Sequence, residues 1–83
     1  MKVKRKPVHE YVEYQLNIFR NQCNFTDEEL EFFNYRAKKK TMAEIEELMS
    51  ISRSKVFGIS SSVKTKMDMV IEVYFQENET NEE

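Results

Sequence analysis

Between Lys38 and Thr65 the chain gathers side chains suited to one kind of chemistry, the holding of phosphates and base edges. Lys38, Lys39, Lys40, Arg53, Lys55 and Lys64 supply cations, and Thr41, Ser54, Ser61, Ser62 and Thr65 supply short hydroxyls. Cationic groups attract phosphate oxygens, and hydroxyls bond to phosphates or bases. Phe57 offers an apolar surface for a thymine methyl, and Gly58 lacks the side chain that would hold a helix away from a groove. From Arg36 to Lys66 there are eight basic and three acidic residues, a local net charge of +5, although the whole chain carries −2. The acid lies elsewhere, at Asp27, Glu28, Glu29 and Glu31 and from Asp68 to Glu83. Overall acidity counts against a nucleic-acid partner, but docking on phosphates follows the local field.

Other reactive side chains stand alone. His9 has no cysteine or acidic cluster at metal-ligand spacing, so no metal is expected. Cys23 falls on an apolar stripe and reads as a small hydrophobe. Ser60-Ser61-Ser62 lacks the histidine and glycine-rich turn of a hydrolase, and the single glycine excludes a phosphate-cradling loop. The five methionines read as core filler after the initiator. These residues predict a protein that is not an enzyme and needs no cofactor or small-molecule substrate.

The elements that would position the cationic segment are helices. Val8, Tyr11, Val12, Leu16, Phe19 and Cys23 recur at steps of three and four, predicting one amphipathic helix over residues 8–23 with Pro7 in its first turn. Thr26 with Glu29 forms a capping box, flanked by Phe25 and Leu30 at staple positions. Leu30, Phe33 and Ala37 make the inward stripe of that second helix, which Lys38-Lys39-Lys40 closes with favourable charge. Thr41 with Glu44 repeats the box, and Met42, Ile45, Leu48 and Met49 face inward. Ser52 caps a further helix, with Ile51 and Val56 as its staple. Val63, Met67, Val70, Ile71 and Tyr74 continue a helical stripe, although residues 70–75 also have strand-like composition.

Two short helices joined by a tight turn, with Ile45 and Met49 inward on the first, Ile51 in the turn and Val56 and Ile59 inward on the second, fit a helix-turn-helix. At 100° per residue, Val56, Ile59, Ser60, Val63 and Met67 face the core of the presumed recognition helix, residues 52–66. Ser54, Gly58, Ser61 and Thr65 face outward, flanked by Lys55 and Ser62 on one side and by Phe57 and Lys64 on the other.

Over residues 25–67 the chain resembles the DNA-binding domain of LuxR-type regulators and the related promoter-binding region of sigma factors. The matching residues are Phe25-Thr26, Glu28, Glu29, Glu31, Arg36-Ala37, Lys40-Thr41, Glu44-Ile45, Glu47, Ile51-Ser52, Val56, Ser61, Val63, Lys66 and Met67. Small phage-encoded transcription regulators share this look. The resemblance implies a helix-turn-helix fold and duplex DNA as partner. The chain departs from the family at Glu46, where a small residue is usual, and at Ser60, where an apolar one is. Glu46 must therefore tilt outward or meet a cation. Gly58 lies within the recognition helix, at a cost of about 1 kcal/mol relative to alanine.

Eighty-three residues with one glycine and one proline predict a single all-α domain, a small helix-turn-helix bundle of four to five helices. Residues 1–7 read as a flexible basic arm, 8–75 as the helical domain with its helix-turn-helix core at 26–67, and 76–83 as a disordered acidic tail. One cysteine, no long apolar run and no signal-peptide pattern predict a cytoplasmic protein outside the membrane. The expected function is sequence-specific binding of double-stranded DNA in transcriptional regulation. A homodimer is expected through residues 8–23 and/or 67–75, whose apolar groups are more than a 26–66 core is expected to cover. The alternative is a protein-interaction module on the same fold: a phage adaptor, an anti-repressor or a DNA-packaging component. The acidic total charge, Glu46, Phe57 and the small-residue face of Ser54, Gly58, Ser61/Ser62 and Thr65, which suits tight packing on another helix, favour it.

Overall fold

The computed structural model describes residues 6–75, and these form helices only. A single 3-10 turn, Val8–Glu10, precedes α1 (Glu13–Gln22), α2 (Asp27–Ala37), α3 (Met42–Met49) and α4 (Arg53–Tyr74). The proposed tail, 76–83, and the first five residues of the proposed arm lie outside the described residues.

The starts are set by side-chain caps. The Thr26 hydroxyl accepts from the Glu29 amide at 3.2 Å, while Glu29 Oε1 accepts from the Thr26 amide at 3.0 Å. Thr41 and Glu44 repeat the exchange at 3.1 and 2.8 Å. The Ser52 hydroxyl accepts from the Lys55 amide at 3.1 Å. Each satisfies amides that an isolated helix would leave unpaired.

The stops are set by left-handed residues. Lys39 has φ 68°, and the Lys40 and Lys39 amides donate back to the Tyr35 and Arg36 carbonyls. Ser50 has φ 56°, and the Ile51 and Ser50 amides donate to the Glu46 and Glu47 carbonyls. Both are Schellman turns, closing a helix and reversing the chain at once. α3 and α4 are thereby joined by three residues, Ser50-Ile51-Ser52, in a helix-turn-helix connection.

One core joins every element. Phe19, Phe33, Ile45, Val56, Val63 and Met67 are the largest side chains wholly removed from solvent. Tyr11, Phe19 and Phe75 pack ring against ring, with centroids 4.9 Å apart for Tyr11–Phe19 and 5.3 Å for Phe19–Phe75. This cluster ties the start of the described chain to the end of α4. Arg20 braces α1 against α2, donating to Asn34 Oδ1 at 2.9 Å and lying over the Phe33 ring.

Four expectations are corrected. Residues 8–23 are not one helix: Tyr11 is extended, at φ −82° and ψ 145°, because its ring turns into the aromatic cluster, and α1 restarts with Gln15 Oε1 accepting from the Val12 amide. Val12 is consequently exposed. On α2 the buried apolar residues are Phe32 and Phe33, with Leu30 and Ala37 only half-buried. On α3, Leu48 is 49% exposed, since so short a helix presents only a narrow inward stripe around Ile45. Finally, the helix expected over residues 52–66 does not end there. α4 runs 22 residues, about 33 Å, to Tyr74. Its second half buries Met67, Val70 and Ile71 in the common core and leaves Tyr74 exposed, so far less apolar surface is left over than the sequence suggests.

Candidate nucleic-acid interface

The first half of α4 carries an open polar face. Arg53, Ser54, Lys55, Phe57, Gly58, Ser61, Lys64 and Thr65 are all exposed, while Val56, Ile59, Ser60 and Val63 are buried on the opposite side. This is the arrangement expected from helical periodicity. α4 carries no acidic side chain before Asp68.

Gly58 stands at the middle of this face. A Cβ placed on it meets nothing within 4 Å, and its φ is not positive. Among the described residues nothing requires glycine there: neither backbone conformation nor close packing. Thr65 turns its hydroxyl back to the Ser61 carbonyl at 3.1 Å, a local bond that keeps the side chain close to the helix.

Two of the cations already have acidic neighbours. Lys55 Nζ lies 3.5 Å from Glu28 Oε2, both about half exposed, and Arg53 Nε lies 3.9 Å from Glu46 Oε2. Glu46 thus meets the cation that its position demands. Arg53 also sits 5.9 Å from the centroid of the exposed Phe57 ring. Such exposed pairs hold their partners weakly and yield to a phosphate.

Ser62 departs from the expected face. Its hydroxyl donates to Glu29 Oε2 at 2.6 Å, turning it towards α2 and away from the open surface. The cause is Glu29 itself, which is 8% exposed and needs donors. Lys66 Nζ reaches Glu29 Oε1 at 2.5 Å and the Asn24 carbonyl at 3.3 Å. Burial pushes the Glu29 carboxyl up, but the bonds from Lys66, Ser62 and the Thr26 amide outweigh it and hold the group down at about 2. Neither Glu29 nor Lys66 stands out in sequence as more than a capping residue and a surface cation. Their partners lie 33 and 37 residues apart, with no local pattern to join them.

The second cationic group, Lys38, Lys39, Lys40 and Thr41, forms the corner between α2 and α3. Lys38 and Lys39 are exposed, whereas Lys40 is half-buried and its carbonyl accepts from Arg36 Nη1 at 2.7 Å. Thr41 is occupied as the cap of α3. This corner and the middle of α4 border one cleft, for Arg36 and Met42 line it from one side and Phe57 and Lys64 from the other.

Elsewhere the chemistry is quiet. Burial pushes the Cys23 thiol up to about 11, so it stays protonated as an inert core group. Among the described residues no cluster of histidine, cysteine or carboxylates is placed to hold a metal. No helix among them is long and apolar enough to cross a membrane.

Compared with protein-family models, curated proteins and solved structures, the chain finds no match.

Proposed function

We propose that the chain is a sequence-specific double-stranded DNA-binding regulator of transcription, acting in the cytoplasm and similar in plan to LuxR-type and sigma-factor helix-turn-helix domains. The first half of α4 enters the major groove. Ser54, Gly58, Ser61 and Thr65 approach the bases, and Phe57 meets a thymine methyl at one edge. Arg53, Lys55 and Lys64 contact phosphate or guanine from the borders, and Lys38 and Lys39 clamp the backbone from the α2–α3 corner.

The observation that carries this reading is Gly58. A mid-helix glycine costs about 1 kcal/mol relative to alanine. Here it is matched by no need among the described residues, yet it stands among small hydroxyls with cations on both sides. An external surface that must come close accounts for it. Replacing Arg53 and Lys55 by glutamate tests the reading: DNA binding is lost while the helical circular dichroism spectrum stays.

A homodimer through the second half of α4 belongs to the same proposal. Met69 and Val73, four residues apart, are 63% and 69% exposed. Two-fold pairing there sets two recognition helices one DNA turn apart, about 34 Å. Sedimentation of Met69→Glu/Val73→Glu as monomer, against a dimeric parent, is the expected result.

One observation favours a second reading, a protein-interaction module such as a phage adaptor, an anti-repressor or a DNA-packaging component. Phe57 and Leu48 are about half exposed, and Arg53 and Lys55 have acidic partners within the chain. On that reading Phe57→Ala abolishes partner binding, and the charge reversals do not.

A further inference from the structure

The cleft that Phe57 and Lys64 share with the α2–α3 corner has a composition of its own. Its volume is about 400 Å³. That lies within the span of about 300–1,000 Å³ typical of small-molecule sites. Its accessible apolar lining comes from Val8, Met42 and Phe57, over Phe32, Val63 and Met67, which the core already closes off from solvent. Its charged residues are Lys6, Arg36 and Lys64, and among the described residues no carboxylate lines it.

These cations come from three parts of the chain. Lys6 is anchored by its amide, which donates to the Tyr11 hydroxyl at 3.2 Å, and its ammonium lies 5.5 Å from the centre of the Tyr11 ring. Arg36 is fixed by its bond to the Lys40 carbonyl, which leaves a guanidinium further N–H donors to offer. Lys64 is exposed on α4. An uncharged ligand would not need three cations, and a duplex could not fill an apolar floor.

We propose that this cleft binds a free, medium-chain amphipathic carboxylate. The alkyl chain lies against Val8, Met42 and Phe57, and the carboxylate faces Arg36 and Lys64. The inference does not rest on the DNA-binding reading, although the two share Phe57 and Lys64. Its recognition follows from charge complementarity at the mouth and hydrophobic burial below.

Sodium decanoate, kept below its micelle concentration, is the probe, read by methyl and amide NMR shifts of the intact chain. The expected result is saturable binding, with shifts centred on Val8, Met42, Val63 and Met67. From hexanoate to decanoate, affinity rises about three- to fourfold per methylene. Lys64→Glu, on an exposed site that leaves the fold intact, weakens decanoate at least about fivefold. Decyltrimethylammonium binds far more weakly than decanoate. Equal binding of the cation, shifts scattered over the exposed Met69–Val73 surface, or indifference to Lys64→Glu would overturn the proposal. So would sedimentation showing a dimer whose interface already covers these methyls, since the occupant would then be a second copy.

Discussion

Lys66 on α4 holds Glu29 on α2 at 2.5 Å, across 37 residues of sequence. The same carboxylate caps its own helix through the Thr26 amide and accepts from Ser62. One buried acid therefore fixes the start of α2 against the middle of α4. That contact sets how the open face of α4 is turned relative to the rest of the bundle.

Lys66→Met removes the cation and leaves the carboxylate under-satisfied. A stability loss of about 1–3 kcal/mol is expected by urea denaturation, with the slope unchanged. Lys64→Met, two residues away on an exposed site, changes stability by less than about 0.5 kcal/mol.

Acid should weaken the fold through the same group. The Glu29 carboxyl is lowered from its ordinary 4.5 to about 2. Its contribution is complete above the unfolded value and is lost as pH falls through the folded one. Stability therefore declines between about pH 5 and pH 2. Glu44, lowered chiefly by the Thr41 amide, acts in the same direction. In urea midpoints measured across this window, Glu29→Gln starts lower at neutral pH and declines less steeply than the parent.

Gly58→Ala separates stability from function. The open space around the position predicts a gain of about 1 kcal/mol in thermal or urea denaturation. The added methyl stands between α4 and the groove, so affinity for the selected DNA site falls about tenfold. A more stable protein with undiminished DNA binding would remove the observation on which the functional proposal rests.

Glu28 lies 3.5 Å from Lys55 at the edge of the open face of α4, where on the DNA-binding proposal it would oppose phosphate. Glu28→Gln frees that lysine and removes a repulsive charge. DNA binding tightens about two- to fivefold at low salt in anisotropy titrations, and the gain shrinks as salt rises. Folding stability shifts by less than about 0.5 kcal/mol, because the pair is half exposed.

The caps at Thr26, Thr41 and Ser52 and the stripe through Ile45, Val56, Ile59 and Val63 were legible because each depends on residues within a few positions of one another. The two sides of the first half of α4 followed from the same periodicity. The break at Tyr11 was not legible, since the apolar steps run through it unbroken and the ring turns inward onto Phe19 and the distant Phe75, a cluster that forms only in the fold. Ser62 was misplaced for a similar reason. At the border of the stripe, periodicity leaves its side open, and Glu29 decides it. The cleft drew on four separate segments, of which only Phe57 and Lys64 stood out as site residues in sequence. Exposed Leu48 and buried Phe32 show the converse limit: on short helices the width of the inward stripe depends on what packs against it.

The central claim is tested most directly by fluorescence anisotropy of the intact chain with random-sequence duplex DNA across a salt series. About five phosphate contacts per chain, from Arg53, Lys55, Lys64, Lys38 and Lys39, predict an affinity that falls several hundredfold between about 50 and about 200 mM salt. Absence of binding at the lowest salt, or binding indifferent to salt, would contradict the DNA-binding reading and assign the open face of α4 to a protein partner.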